Sequence, residues 1–419
     1  MTKRRRWIAV AGLASVAASL PARGDDAVPI TGRADATYAS FDRLMSRFVR
    51  EQRVPGASFA AARGGRVVYA RGFGYTSDDR ARAVEPTSLF RIASLSKPIT
   101  ALAVLTYVDS GAIALDDPVA AFLTAEFERD PPVDPRLRSV TIRQLLQHTG
   151  GWDSSRTFDP MFRTVAIAEE FRATPPAGPD LILRSMLRRP LDFDPAARYA
   201  YSNFGYSVLG RVLERLSKRS YAACVRDRVL SPLGIVDMSI GRTLPRDRDP
   251  REVGYRNDLG LREPAVLGPD FGKPTPLPDG AWSHEALDAH GGWIATASDL
   301  ALIATQLDRG QSKLLTERSR RAIVERPPGP AGHHDDGTPR DVFHGLGWRV
   351  RDLGGDRRAL WHTGSLPGTS ALLVHRDDDT SWAVLFNARD NPDGKPLAVL
   401  IDPLVHRAAD EIRAWTASP

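Results

Sequence analysis

The sequence predicts an α/β (α+β) protein built on one antiparallel sheet flanked by helices, with a mostly helical domain inserted between the two halves of that sheet. Three observations predict it. A hairpin signal lies near the beginning, where Ala57 to Ala62 and Arg66 to Ala70 flank Gly64-Gly65. Three strand-like runs lie near the end: Gly347 to Val350, Thr369 to His375 and Ser381 to Asn387. Between them, helix-like pieces alternate with long loops rich in Pro, Gly, Arg and Asp.

The elements follow in order. Residues 1 to 24 read as a secretory signal: basic Lys3 to Arg6, an apolar run from Trp7 to Leu20, then small residues with a cut after Ala22 or Gly24. Arg4-Arg5-Arg6-Trp7-Ile8 is similar to a twin-arginine signal. The expected location is therefore periplasmic or secreted, with no stable membrane insertion after cleavage, since no later apolar run is long enough to span a bilayer. Residues 39 to 53 form an amphipathic helix, with Phe41, Leu44, Met45 and Phe48 at helical spacing. A second helix covers 94 to 109 and ends before Gly111. The stretch 241 to 281 has little periodicity and reads as a lid or a disordered insert. A helix is expected near Ser298-Asp299 with Ser298 as its cap, a soft loop over 327 to 341, and a last amphipathic helix over about 396 to 414. The sheet domain is thus assigned to 25–111 and 291–419, and the inserted domain to 112–290.

Composition narrows the function. The 419 residues are 42% hydrophobic and 26% charged, as in ordinary globular chains. The net charge is +6, and taking away the four cations of residues 1 to 22 leaves +2. Such a balance gives no reason to invoke nucleic acid or an anionic membrane. One cysteine, Cys224, sits in an apolar-patterned run and reads as a small buried residue, not a nucleophile.

Three short motifs can carry chemistry. Ser94-Leu95-Ser96-Lys97 stands at a helix start, where positions three apart share a face. A nucleophilic serine needs a neighbour to take its proton, and a lysine of lowered proton affinity can do so. A helix N-terminus adds backbone N–H groups that suit a developing oxyanion. Tyr201-Ser202-Asn203, read as extended, turns Tyr201 and Asn203 the same way. His362-Thr363-Gly364-Ser365 follows the strand-like run Ala359-Leu360-Trp361, with Gly364 admitting another backbone closely. Each alone matches ordinary caps and loops. Lysine is rare here (Lys3, Lys97, Lys218, Lys273, Lys313 and Lys395), so chance Ser-x-x-Lys matches are scarce.

Taken together and in this order, the motifs resemble the serine β-lactamase and penicillin-recognising superfamily, in its class C-like branch of β-lactamases, D,D-carboxypeptidases, D-aminopeptidases and carboxylesterases. Leu145 to Gly151, Ser231 to Gly234 and Gly291 to Leu300 are similar to its other landmarks, and the likeness runs over about residues 40 to 415. The resemblance implies a β-lactamase/transpeptidase-like fold and an acyl-enzyme on Ser94. Lys97 and Tyr201 would shuttle the proton, with Tyr201 favoured as the base that also activates the deacylating water. Asn203, His362, Thr363 and Gly364 would hold substrate, and the N–H groups of Ser94 and Ser365 would form the oxyanion hole. The implied substrate is a small ester, a D-amino-acid amide or peptide, or a β-lactam, with peptidoglycan fragments among the candidates. Class C β-lactamases carry Lys where this chain has His362, so efficient β-lactam hydrolysis is not expected. A non-turnover sensor and an acyltransferase are the competing readings on the same scaffold.

No metal and no cofactor are expected. His333-His334-Asp335-Asp336 lies in a Gly/Pro-rich loop without partners at ligand spacing, and His148 and His290 read as loop-ordering residues. Gly368-Thr369-Ser370-Ala371-Leu372 lacks the second Gly of a Gly-x-Ser-x-Gly elbow, which disfavours an α/β-hydrolase.

Overall fold

The computed structural model describes residues 27–310 and 312–415. The signal-like stretch assigned to residues 1 to 24 lies outside them. The strands are β1 (Ile30–Thr31), β2 (Gly56–Arg63), β3 (Arg66–Gly74), β4 (Phe90–Arg91), β5 (Ser239–Ile240), β6 (Arg262–Pro264), β7 (Pro274–Pro276), β8 (Trp293–Ala295), β9 (Val342–His344), β10 (Arg349–Asp352), β11 (Arg358–Leu366), β12 (Thr369–His375) and β13 (Thr380–Phe386). Eight of them form one sheet in the order β1-β3-β2-β13-β12-β11-β10-β9, antiparallel at every step. Both ends of the chain thus build one sheet, joined where β2 pairs with β13.

Both faces of the central strands are covered, and the side-chain period of two shows how. In β13, Trp382, Val384 and Phe386 face the helices Ala39–Glu51 and Leu397–Asp410. Ala383 and Leu385 face the other way, into a larger core shared with the helix Ser96–Asp109 and the middle of the chain. In β2, Ala57, Phe59 and Ala61 take the first side, and Ala60 and Ala62 the second. This explains why the strands read as nearly continuous apolar runs. The helix Ser96–Asp109 is buried on all sides, as its lack of an apolar stripe requires.

The structure departs from the sequence reading in places. The run Gly347 to Val350 is strand only from Arg349, because Gly347 turns at φ +82°. β9 arises beside the 327–341 loop, and β11 runs from Arg358 to Leu366, well past the apolar Ala359–Trp361. The helix at Ala297–Ala304 is capped by Thr296, not Ser298. The Thr296 hydroxyl accepts from Asp299 N–H, and the Asp299 carboxylate accepts from Thr296 N–H, each at 3.1 Å. The 241–281 stretch is irregular but tied down. β6 pairs with β7, and the carbonyls of Arg242 and Pro278 accept from the buried Arg91 guanidinium at 2.9 and 2.7 Å.

Candidate active site

Ser94 is placed by a strained turn. Ala93, at φ +47°, is a non-glycine residue in the left-handed region, and the next residues enter the helix Ser96–Asp109 directly. A small sheet of β4, β8 and β5 sets this turn beside Gly291 and His290. Lys97 follows within the first helical turn and is fully buried. Its Nζ lies 3.1 Å from Ser94 Oγ, 2.7 Å from Asn203 Oδ1 and 2.9 Å from the His290 carbonyl. It also stands 4.7 Å from the centre of the Tyr201 ring. Burial pushes the Lys97 ammonium well below its ordinary proton affinity, and the Asp159 carboxylate offsets only part of this.

Tyr201 donates from its hydroxyl to Ser94 Oγ at 2.8 Å. Burial pushes the phenol upward, so the phenol form is favoured. The segment is not extended throughout, as the sequence reading had it. Ser202 caps the helix Asn203–Ser217 through Gly205 N–H, and Asn203 is already helical. Both ends of the Asn203 amide are engaged inside the protein: Oδ1 accepts from Lys97, and Nδ2 donates to Asp159 at 2.6 Å. Asn203 still lines the cleft beside Tyr201. His148 holds the segment from behind, its Nδ1 accepting from Ser202 N–H at 3.1 Å and its ring 4.4 Å from that of Tyr201. Accepting at Nδ1 places the imidazole proton on Nε2.

The third motif lies on β11 opposite the nucleophile turn. Gly364 is indispensable there, since a Cβ would meet the Ile92 carbonyl at 2.1 Å. Thr369 on β12 fastens the same hairpin, donating to the Arg91 carbonyl at 2.8 Å. His362 is buried, and its Nδ1 lies 2.8 Å from the Thr363 carbonyl. Burial, with His344 and Lys97 near by, drives it well below the usual imidazole range, so the ring is neutral. Ser94, Tyr201, Asn203, His362, Thr363 and Ser365 all line one cavity of about 460 Å³.

That cavity also takes in residues that sequence reasoning missed: Phe162, Tyr199, His344 and Arg349. Asp159, behind Asn203, was missed as well. Each is a single residue in a loop or short strand, with no spacing signal. Arg349 is exposed at the cavity wall and has no carboxylate within ion-pair distance among the described residues. Of the histidines read as loop residues, His290 lines the cavity, and its carbonyl accepts from Lys97.

The Beta-lactamase family model matches residues 41–405. Esterase EstB of Burkholderia gladioli is 33% identical over 255 residues, covering 58% of this chain and 59% of the esterase. The chain therefore spans less than two thirds of that relative's length. A penicillin-binding protein of Bacillus subtilis (strain 168) is 26% identical over 353 residues, covering 81% of this chain and 69% of that protein. The fold is similar to that of the D-amino acid amidase from Ochrobactrum anthropi, with a TM-score of 0.67 at 18% identity over 90% of this chain and 99% of that one. With the family model covering most of its length and the Ser-x-x-Lys, Tyr-x-Asn and His-Thr-Gly segments converging on one cleft, this chain belongs to the Beta-lactamase family.

Proposed function

We propose that the chain is a serine hydrolase that forms an acyl-enzyme on Ser94. The observation that carries this is the placement of Ser94 Oγ between the Tyr201 hydroxyl at 2.8 Å and Lys97 Nζ at 3.1 Å. A neutral lysine has two N–H donors and one lone pair. The two donors match the Asn203 and His290 oxygens at 2.7 and 2.9 Å, which leaves the lone pair for the Ser94 proton. Tyr201 meanwhile donates to Ser94 Oγ. The lowered Lys97 and raised Tyr201 favour this neutral network over a tyrosinate–ammonium pair. Lys97 therefore takes the first proton as Ser94 attacks the carbonyl carbon, and Tyr201 relays a proton to the leaving group. The N–H groups of Ser94 and Ser365 receive the oxyanion. In the second half, water attacks the acyl carbon and returns Ser94 as the alcohol.

The substrate reading is a small ester or D-amino-acid amide, with weak β-lactam turnover at most. A neutral His362 offers no fixed charge to a β-lactam carboxylate. The cation at the cavity wall is Arg349 instead, which favours substrates whose acid group reaches that side. Peptidoglycan fragments with a free carboxylate fit this description. The basic and apolar start of the chain supports export to the periplasm or medium. The test is intact-protein mass spectrometry with a fluorophosphonate probe and p-nitrophenyl butyrate, on wild type and Ser94→Ala. A single adduct lost in the variant, together with ester turnover, supports the reading. Turnover retained by Ser94→Ala overturns it.

A further inference from the structure

At the opposite end of β12 from the cleft lies a second group of chemical side chains. His375 ends the strand, Asp379 sits in the turn to β13, and Asp308 follows the helix Ala297–Ala304. One donor atom from each lies within 4.8 Å of the others. His375 Nδ1 is 3.6 Å from Asp308 Oδ1, and His375 Nε2 is 3.9 Å from Asp379 Oδ1.

Asp308 is what makes this more than an acidic cluster. Its side chain is only 3% exposed, yet neither carboxylate oxygen has a hydrogen-bond partner. The Gly65 N–H lies near it, and Arg63 and Arg320 stand near without forming an ion pair. A buried carboxylate left this way is expensive unless a proton or a cation completes it. A neutral imidazole nitrogen is the form that ligates metals. The Ser381 hydroxyl, 3.0 Å from His375 Nδ1, fixes the ring's orientation, as outer partners of metal-bound histidines do.

We propose that Asp308, His375 and Asp379 form a structural site for a divalent cation of the zinc type. One imidazole nitrogen and two carboxylate oxygens suit such an ion, with water as the fourth ligand. No spacing pattern marks this site in the sequence, because Asp308 lies 67 and 71 positions before His375 and Asp379 (308 to 375 and 308 to 379). The ion would clamp the end of the helix Ala297–Ala304 to the β12–β13 turn. Ser370, which pairs with Ser365 beside the cleft, lies five residues along β12, about 17 Å away at strand rise. The site therefore acts on stability and not on the acylation step.

The test uses the full chain, stripped with EDTA, equilibrated with zinc chloride and washed. Bound metal is measured by mass spectrometry and thermal unfolding with and without zinc. The expected result is one zinc per chain and a rise in melting temperature on the order of 5 °C at zinc a hundredfold above Kd. Asp308→Asn should lose the bound zinc and the rise, with fluorophosphonate labelling of Ser94 unchanged. If Asp308→Asn does not fold, Asp379→Asn on the half-exposed turn should show the same loss. A wild type that retains no zinc overturns the proposal, and so do variants that retain it.

Discussion

The Tyr201 hydroxyl donates to Ser94 Oγ at 2.8 Å across 107 positions of sequence. The contact is made by a phenol that burial keeps protonated, so in the proposed mechanism it gives a proton and recovers it, and is not a standing anion. Tyr201→Phe keeps the ring against His148 and removes only the hydroxyl. The expected result is a loss of about 10²–10⁴ in kcat/KM for p-nitrophenyl butyrate with unchanged thermal unfolding. Wild-type turnover in the variant would remove Tyr201 from the proton path.

Lys97 sets the pH dependence. Its proton affinity is depressed in the folded chain, and in the proposed mechanism the base is the neutral amine. Activity should therefore fall as pH drops through the folded value, because the lone pair is then occupied. Lys97→Arg should not rescue it, since a guanidinium stays charged. The same shift acts on stability. Between the depressed folded value and the unfolded value of 10.5, the unfolded chain binds the extra proton. Unfolding free energy should therefore rise with pH across that window. Denaturation of Lys97→Met at several pH values should show a flatter dependence, with no adduct formed at Ser94. An unaltered slope would mean that Lys97 is charged in the folded state.

Gly364 couples the strand to the nucleophile turn. A Cβ there would lie 2.1 Å from the Ile92 carbonyl, a backbone atom that cannot swing aside. Gly364→Ala must push β11 away from the turn that carries Ser94. The expected cost is about 1–3 kcal/mol in chemical denaturation, with much slower probe labelling. Thr363→Ser, on the same strand, should leave stability nearly unchanged, which separates strand displacement from a general loss of packing.

What could be read from the sequence, and what could not, follows the range of each signal. Ser94 and Lys97 are legible because helix geometry fixes their relation three residues apart. Gly364 is legible because its neighbours are small and its strand is apolar. The paired strands were legible from their near-continuous apolar runs and from the Gly64-Gly65 turn, which is why the sheet made from both chain ends could be anticipated. β9 was not, because three residues beside a Gly/Pro-rich loop carry no period. Asp159 was invisible for a different reason. It earns its place only by meeting the Asn203 amide 44 positions later, and a lone Asp before a proline reads as a turn. Asn203 itself was found but misplaced, since the Ser202 cap turns the chain into a helix one residue earlier than alternation assumed.

Arg349 tests the substrate class. It begins β10, lines the cavity wall beside Tyr199 and His344, and has no acid to neutralise it among the described residues. Its guanidinium lies 5.7 Å from the centre of the Trp361 ring, a contact that spends none of its hydrogen bonds. A substrate carboxylate can therefore take both N–H donors of one edge. Paired substrates isolate this contact: an ester carrying a free carboxylate, and its methyl ester. In wild type the acid should have the higher kcat/KM. In Arg349→Ala the acid should lose about tenfold or more, mostly in KM, at the 1.5–3 kcal/mol of a hydrogen bond to a charged group. The methyl ester should change little, since it never used the charge. Equal losses for both would mean that Arg349 shapes the cavity and does not read the substrate's charge.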